Sequence, residues 1–131
     1  MAGEENSRIS LHMQLIAILS RIGVYSIQTQ RKGNMLLGNK IRSLRNEQGI
    51  LQRQVAAYLE IDTPMFCKIE RGDRRAKRSQ VIQMATYFKV DEKKMLTLWL
   101  ADKVLDALEG EDELKLTAIE TVKDELMDIN R

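Results

Sequence analysis

The chain of 131 residues has one cysteine, one proline, one histidine and one tryptophan. A single cysteine, Cys67, closes no disulfide within the chain, so the fold has to rest on its hydrophobic core, and this usage fits a reducing cytoplasm. With one histidine (His12) and one cysteine, neither a metal-ligand cluster nor a Cys–His catalytic arrangement can be assembled. No glycine-rich phosphate loop is present. No apolar run approaches the ~18 residues that a membrane span needs. The expectation from these absences is no metal, no cofactor, no small-molecule ligand, no membrane and no enzymatic activity. Strand signals are missing too, so the fold class expected is all-α.

What is present is charge, unevenly distributed. The net charge is only +2, but residues 35–90 carry eleven Lys/Arg against five Asp/Glu, and residues 91–131 carry six against twelve. A basic half facing a polyanion and an acidic half held off it would produce this division; ordinary helix surfaces segregated by chance would also produce it.

Residues 1–34 fit the remainder poorly. Residues 9–27 could form a short amphipathic helix, but Glu4 and Glu5 stand where a signal peptide carries positive charge, and Arg21 interrupts the apolar stretch. The expectation is that Met35 is the natural start and that residues 1–34 are an upstream read-through, with a genuine N-terminal arm as the competing reading. From residue 37 a helical period is clear. Leu37, Ile41 and Leu44 recur at i, i+4 and i+7, and Gly49 ends this first helix. Further helices are predicted over residues 52–59 and 63–71, the latter capped by Asp62 with Pro64 in its first turn. A fourth helix begins near residues 77–79 and buries Val81, Ile82, Ala85 and Phe88. A fifth, capped by Asp91, runs to a stop at Gly110, and a last one spans residues 112–129.

The stretch from Gln52 to Gly72, QRQVAAYLEIDTPMFCKIERG, is the most informative. Val55, Leu59, Ile61, Phe66 and Ile69 have the spacing of an apolar wedge between two crossed helices, while Thr63, Pro64, Cys67 and Lys68 fall on the opposite face of the second. A short helix held at a fixed angle and showing small and polar side chains suits the DNA major groove. Gly49-Ile50, Gln52, Val55-Ala56, Ile61-Asp62 and Ile69-Glu70-Arg71-Gly72 together resemble the helix-turn-helix of the lambda-repressor-like group, also called the Cro/CI or Xre family. The resemblance covers about residues 37–90 and, more loosely, reaches 100. Three positions depart from the family pattern. Leu51 replaces a capping Thr or Ser, at a cost of about 1 kcal/mol. Glu60 stands where a left-handed glycine is usual, a strain of about 1 kcal/mol. Ala76 replaces a proline.

The resemblance implies a five-helix DNA-binding domain over residues 35–100 with an extra C-terminal helix. Base reading would fall to Thr63, Pro64, Cys67 and Lys68. Lys68 can donate to guanine, contact a phosphate or lie solvated, and Pro64 offers only apolar contact. Cys67 reads as a small side chain on that face, with a redox role as the alternative. DNA-backbone contacts are expected from Gln52, which would also brace the third helix, and from Arg53, Arg71, Arg74, Arg75, Lys77 and Arg78. In the family an arginine like Arg45 pairs with a glutamate like Glu70, so these two are expected to lock the third helix to the core rather than read DNA.

Ile119, Val122, Leu126 and Ile129 are spaced 3, 4, 3, a short heptad-like seam. With Trp99 they are expected to form a dimer interface in a C-terminal extension over residues 101–131, although packing of the last helix on the fifth would use the same residues. The functional expectation is a cytoplasmic, homodimeric transcriptional regulator, a repressor on a palindromic operator in double-stranded DNA. The alternatives are an antitoxin, or a protein-interaction module, of a toxin–antitoxin or restriction–modification locus.

Overall fold

A computed structural model describes residues 35–131. Residues 1–34, and with them the expectation that Met35 is the natural start, lie outside the described residues. The described residues form helices without strands: α1 Leu36–Gln48, α2 Gln52–Tyr58, α3 Thr63–Arg71, α4 Arg78–Phe88, α5 Glu92–Ala107 and α6 Lys115–Ile129. None of them is long and apolar enough to cross a membrane.

Local chemistry explains the boundaries. Gly49 ends α1 and Gly72 ends α3 in the left-handed region, at φ 65° and 79°, where a residue without Cβ carries no penalty. Asp62 Oδ1 accepts the Met65 N–H at 2.7 Å and Asp91 Oδ1 the Lys93 N–H at 3.0 Å, so α3 and α5 start on side-chain caps. Leu51 and Lys77 offer no such cap. Gln54 and Gln80 instead fold back to accept the Leu51 and Lys77 N–H groups at 2.7 and 2.9 Å. Two non-glycine residues take positive φ, Glu60 and Lys89, both at 57°. Lys89 closes α4, and Gln48 Nε2 donates to the adjacent Phe88 carbonyl at 3.0 Å.

The core gathers Leu37, Ile41 and Leu44 of α1, Val55 and Ala56 of α2, Phe66 and Ile69 of α3, Val81, Met84, Ala85 and Phe88 of α4, and Met95 and Trp99 of α5. Met84 takes the buried place expected of Ile82, which is only half-buried. The five apolar residues of the wedge between α2 and α3 divide similarly. Val55, Leu59, Phe66 and Ile69 are buried and Ile61 packs against them from the side.

Trp99 corrects an expectation. It is buried, and its indole Nε1 donates to the Ala76 carbonyl at 2.8 Å. A tryptophan that fills the core of its own subunit and satisfies its polar edge there is not a dimer contact. The boundary expected at residue 100 is also displaced. Asp102 is only 1 % exposed, and its two carboxylate oxygens accept the Leu36 and Leu37 N–H groups at 2.9 and 3.0 Å. It caps α1 from 65 residues away, where Met35 has no capping side chain, so α5 belongs to the body at least this far.

The last helix differs from the rest. It starts at Lys115 rather than 112, has no buried residue, and every side chain from Leu116 onward is exposed. Its seam does not pack on α5 within the chain.

Candidate nucleic-acid interface

The third helix is fixed by an unusually close approach. A Cβ built on Gly38 of α1 would sit 2.1 Å from the Glu70 backbone oxygen, so only glycine lets α1 meet α3 at this distance. That approach brings the Glu70 side chain, 1 % exposed, under α1. Arg45 grips it with two parallel bonds, Nε to Oε2 and Nη2 to Oε1, both 2.8 Å. Arg42 Nε adds a third bond at 3.2 Å and Gln52 Nε2 a fourth, longer one at 3.4 Å. Arg45 Nη1 also donates to the Ile50 carbonyl at 3.0 Å, tying the α1–α2 turn to the same cluster. Burial pushes the Glu70 carboxyl up, but the Arg45 hydrogen bonds and charge, with Arg42 and Gln52, bring it below its ordinary value. The hydrogen bond to Glu70 raises Arg45 above its usual range. Both groups are therefore ionised in the folded protein at neutral pH.

Gln52 and Cys67 extend the cluster toward the outer face. The Cys67 thiol donates to Gln52 Oε1 at 3.1 Å while the Gln52 amide donates to Glu70. Gln52 thus braces α2 against α3, and Cys67 is half-buried beside it. On α3 the exposed positions Pro64, Lys68 and Arg71 recur at i, i+4 and i+7 and make one strip, with half-buried Thr63 and Cys67 along its shoulder. Arg71 pairs at the surface with Asp73, 3.2 Å away. Arg53, Arg74, Lys77 and Arg78 are exposed as well.

Arg75 departs from its expected role. Its guanidinium turns inward to α5, where Nη1 lies 3.4 Å from Asp102 Oδ2 and Nη2 pairs with Asp106. A cation already held by two carboxylates is not a free phosphate contact, and Arg75 leaves the backbone-contact set.

Gly38, Arg42, Asp102 and Asp106 are not among the residues expected from the sequence. Arg42 was within reach, because it lies one turn from Arg45 on the same helix face. Nothing local marks the other three, whose partners are 27 to 66 residues away.

The described residues contain no group of three or more His, Cys, Asp or Glu side chains placed to hold a metal. No curated protein and no solved structure matches the chain. Residues 36–98 match the model of a protein family described as a helix-turn-helix domain, and this match supports a DNA-binding protein of the helix-turn-helix kind.

Proposed function

We propose that this protein is a sequence-specific DNA-binding transcriptional regulator of the lambda-repressor-like kind, acting as a homodimeric repressor on a palindromic operator. The observation that carries the reading is α3: its buried face is locked by the Glu70 cluster, and its exposed face offers Pro64, Lys68 and Arg71 with Thr63 and Cys67 beside them. A rigidly held helix with a small, cationic outer strip fits a major groove. Lys68 and Thr63 would read bases. Gln52, Arg53, Arg71, Arg74, Lys77 and Arg78 would contact phosphates, each neutralised phosphate adding about 0.9 to the slope of log affinity against log salt. The protein works by binding rather than by catalysis, and it needs no cofactor.

The dimer reading rests on α6. Leu116, Ile119, Val122, Leu126 and Ile129 are 38–72 % exposed. An isolated helix of this length is marginal in water, so a partner for this stripe would stabilise it. A second copy would supply the same stripe and bring two α3 helices to a two-fold operator. The stripe would equally accept a different protein, as an antitoxin would require.

Selection of bound duplexes from a random library tests both parts. The expected product is an inverted repeat with half-sites about 10 base pairs apart or a multiple of that spacing. No enrichment at low salt would reject DNA binding. A single asymmetric half-site, together with a monomer in sedimentation, would reject the dimer.

A further inference from the structure

We propose that Asp102 and Asp106 are positioning residues for the nucleic-acid interface: through Arg75 they hold the basic loop after α3 in place, and Arg75 is the internal strut of that loop. The inference deepens the proposed DNA-binding function and rests on it.

Three contacts tie residues 72–78 to the body. At the start, the Asp73 and Arg74 N–H groups both donate to the Lys68 carbonyl, at 2.9 and 3.2 Å, wrapping the chain around the end of α3. In the middle, Arg75 bridges to Asp102 and Asp106, one turn apart on α5. Immediately after it, the Ala76 carbonyl accepts the Trp99 indole, and Ala76 itself is buried. The loop therefore has two consecutive residues, Arg75 and Ala76, pinned to α5, with exposed cations on either side: Arg74 before and Lys77 and Arg78 after. Pinning the middle of a five-residue basic stretch turns its flanking cations outward.

Asp102 makes this more than a loop contact. The same buried carboxylate that lies against Arg75 also caps α1 through the Leu36 and Leu37 N–H groups. The start of α1, the middle of α5 and the loop after α3 thus meet at one side chain. Asp102 also lies beyond residue 98, where the helix-turn-helix match ends. The end of α5 is thereby part of the apparatus that sets how the interface is presented.

The two possible roles of Arg75 predict opposite signs when its partner is removed. If Arg75 were a phosphate ligand restrained by Asp106, Asp106→Asn would release it, tighten DNA binding and steepen the salt dependence. As an internal strut, Asp106→Asn weakens binding, by about two- to fivefold, without changing the slope. Arg75→Met weakens it at least as much, again at unchanged slope, whereas Arg74→Ala lowers the slope by about 0.9. Because the strut acts as a unit, Arg75→Met with Asp106→Asn is no weaker than Arg75→Met alone.

The experiment is a salt titration of DNA affinity for the full chain and these four variants, on a duplex bound by the wild type. Circular dichroism confirms that each is folded. Asp106 is partly exposed, so its substitution leaves the α1 cap and the core intact. Tighter binding by Asp106→Asn, a slope lowered by Arg75→Met, or no change in either variant overturns the proposal. Hydrogen exchange on the free protein separates it from the proposed function. The Arg74 amide is expected to exchange faster in Asp106→Asn whether or not any duplex is bound. If it does not, the strut is wrong; if it does and the wild type binds no duplex, only the DNA-binding reading fails.

Discussion

Arg45→Met is expected to be among the most damaging single substitutions in the described chain, and its effect should shrink in acid. Glu70 is 1 % exposed and accepts four hydrogen bonds, two of them from Arg45. Removing Arg45 leaves a buried carboxylate with one half-exposed arginine, Arg42, and a long bond from Gln52. Breaking a buried pair from one side costs about 3–5 kcal/mol; the partners that remain put this case near the lower figure. Glu70→Gln should cost less. Arg45 is more exposed than Glu70 and keeps its bond to the Ile50 carbonyl, so its charge can reach water. The double variant should cost less than the sum of the two singles by at least about 1 kcal/mol, because neither charge is then stranded.

The pH dependence follows from the direction in which Glu70 is shifted. Its folded-state pKa lies below its ordinary value, so its contribution to stability is full above the unfolded value of about 4.3 and is lost as pH falls through the folded one. In Arg45→Met the largest opposing group is gone, burial dominates, and the carboxyl moves up. Protonation then relieves the variant while it penalises the wild type. Urea unfolding followed at 222 nm, at pH 7 and pH 3.5 and equal protein concentration, should show the gap between the two narrowing in acid. A gap that is the same at both values, or a cost at pH 7 below about 1 kcal/mol, would refute the account of the cluster as a buried, ionised lock.

Gly38→Ala should cost about 1–3 kcal/mol, measured by the same unfolding assay, because its Cβ meets backbone at Glu70 rather than a side chain that can turn away. Glu60→Gly should stabilise by about 0.5 kcal/mol, the relief of a left-handed strain less the added entropy of the unfolded chain, and a loss of stability would show that Glu60 is not strained. Trp99→Phe strands the Ala76 carbonyl and should cost about 1–3 kcal/mol; sedimentation should show the oligomeric state unchanged, since the indole faces its own core.

The parts legible in sequence were those written in local chemistry. Asp62, Pro64 and Gly72 punctuate α3 so strongly that its span, Thr63–Arg71, could be read directly. The left-handed turn at Glu60 was legible only through the family resemblance, which usually has a glycine at that place. The 3, 4, 3 seam of α6 was legible as a period, but a period names no partner, and the helix stands exposed rather than packed on α5. Trp99 was misjudged for the same reason. Its apolar bulk suits an interface or a core equally, and the Ala76 carbonyl that decides between them comes from a loop 23 residues earlier. Gly38 and Asp102 were invisible, since a glycine demanded by a neighbouring helix and a carboxylate that caps a remote one look like ordinary helix residues.

The charge pattern takes on a different meaning through those misses. A basic segment followed by an acidic one reads as one surface that meets a polyanion and another kept away from it. Arg75, Asp102 and Asp106 do not obey that division: one basic and two acidic residues from opposite sides of it are paired with each other. Two further cations of the basic half, Arg42 and Arg45, are taken by Glu70. With Arg42, Arg45 and Arg75 taken, eight of the eleven cations of the basic half remain exposed, and apart from Lys40 and Lys89 they are the ones expected at the interface: Arg53, Lys68, Arg71, Arg74, Lys77 and Arg78. Of these, Arg71 already shares its charge with Asp73 at the surface, a pair that a phosphate could displace at little cost because exposed ion pairs contribute only about 0–1 kcal/mol. The buried pairs cannot be exchanged so cheaply, since leaving a carboxylate uncompensated in the core costs several kcal/mol. Affinity for a polyanion is thus expected to depend on this short set of surface cations, while the arginines that the sequence places among them hold the frame on which that set is displayed.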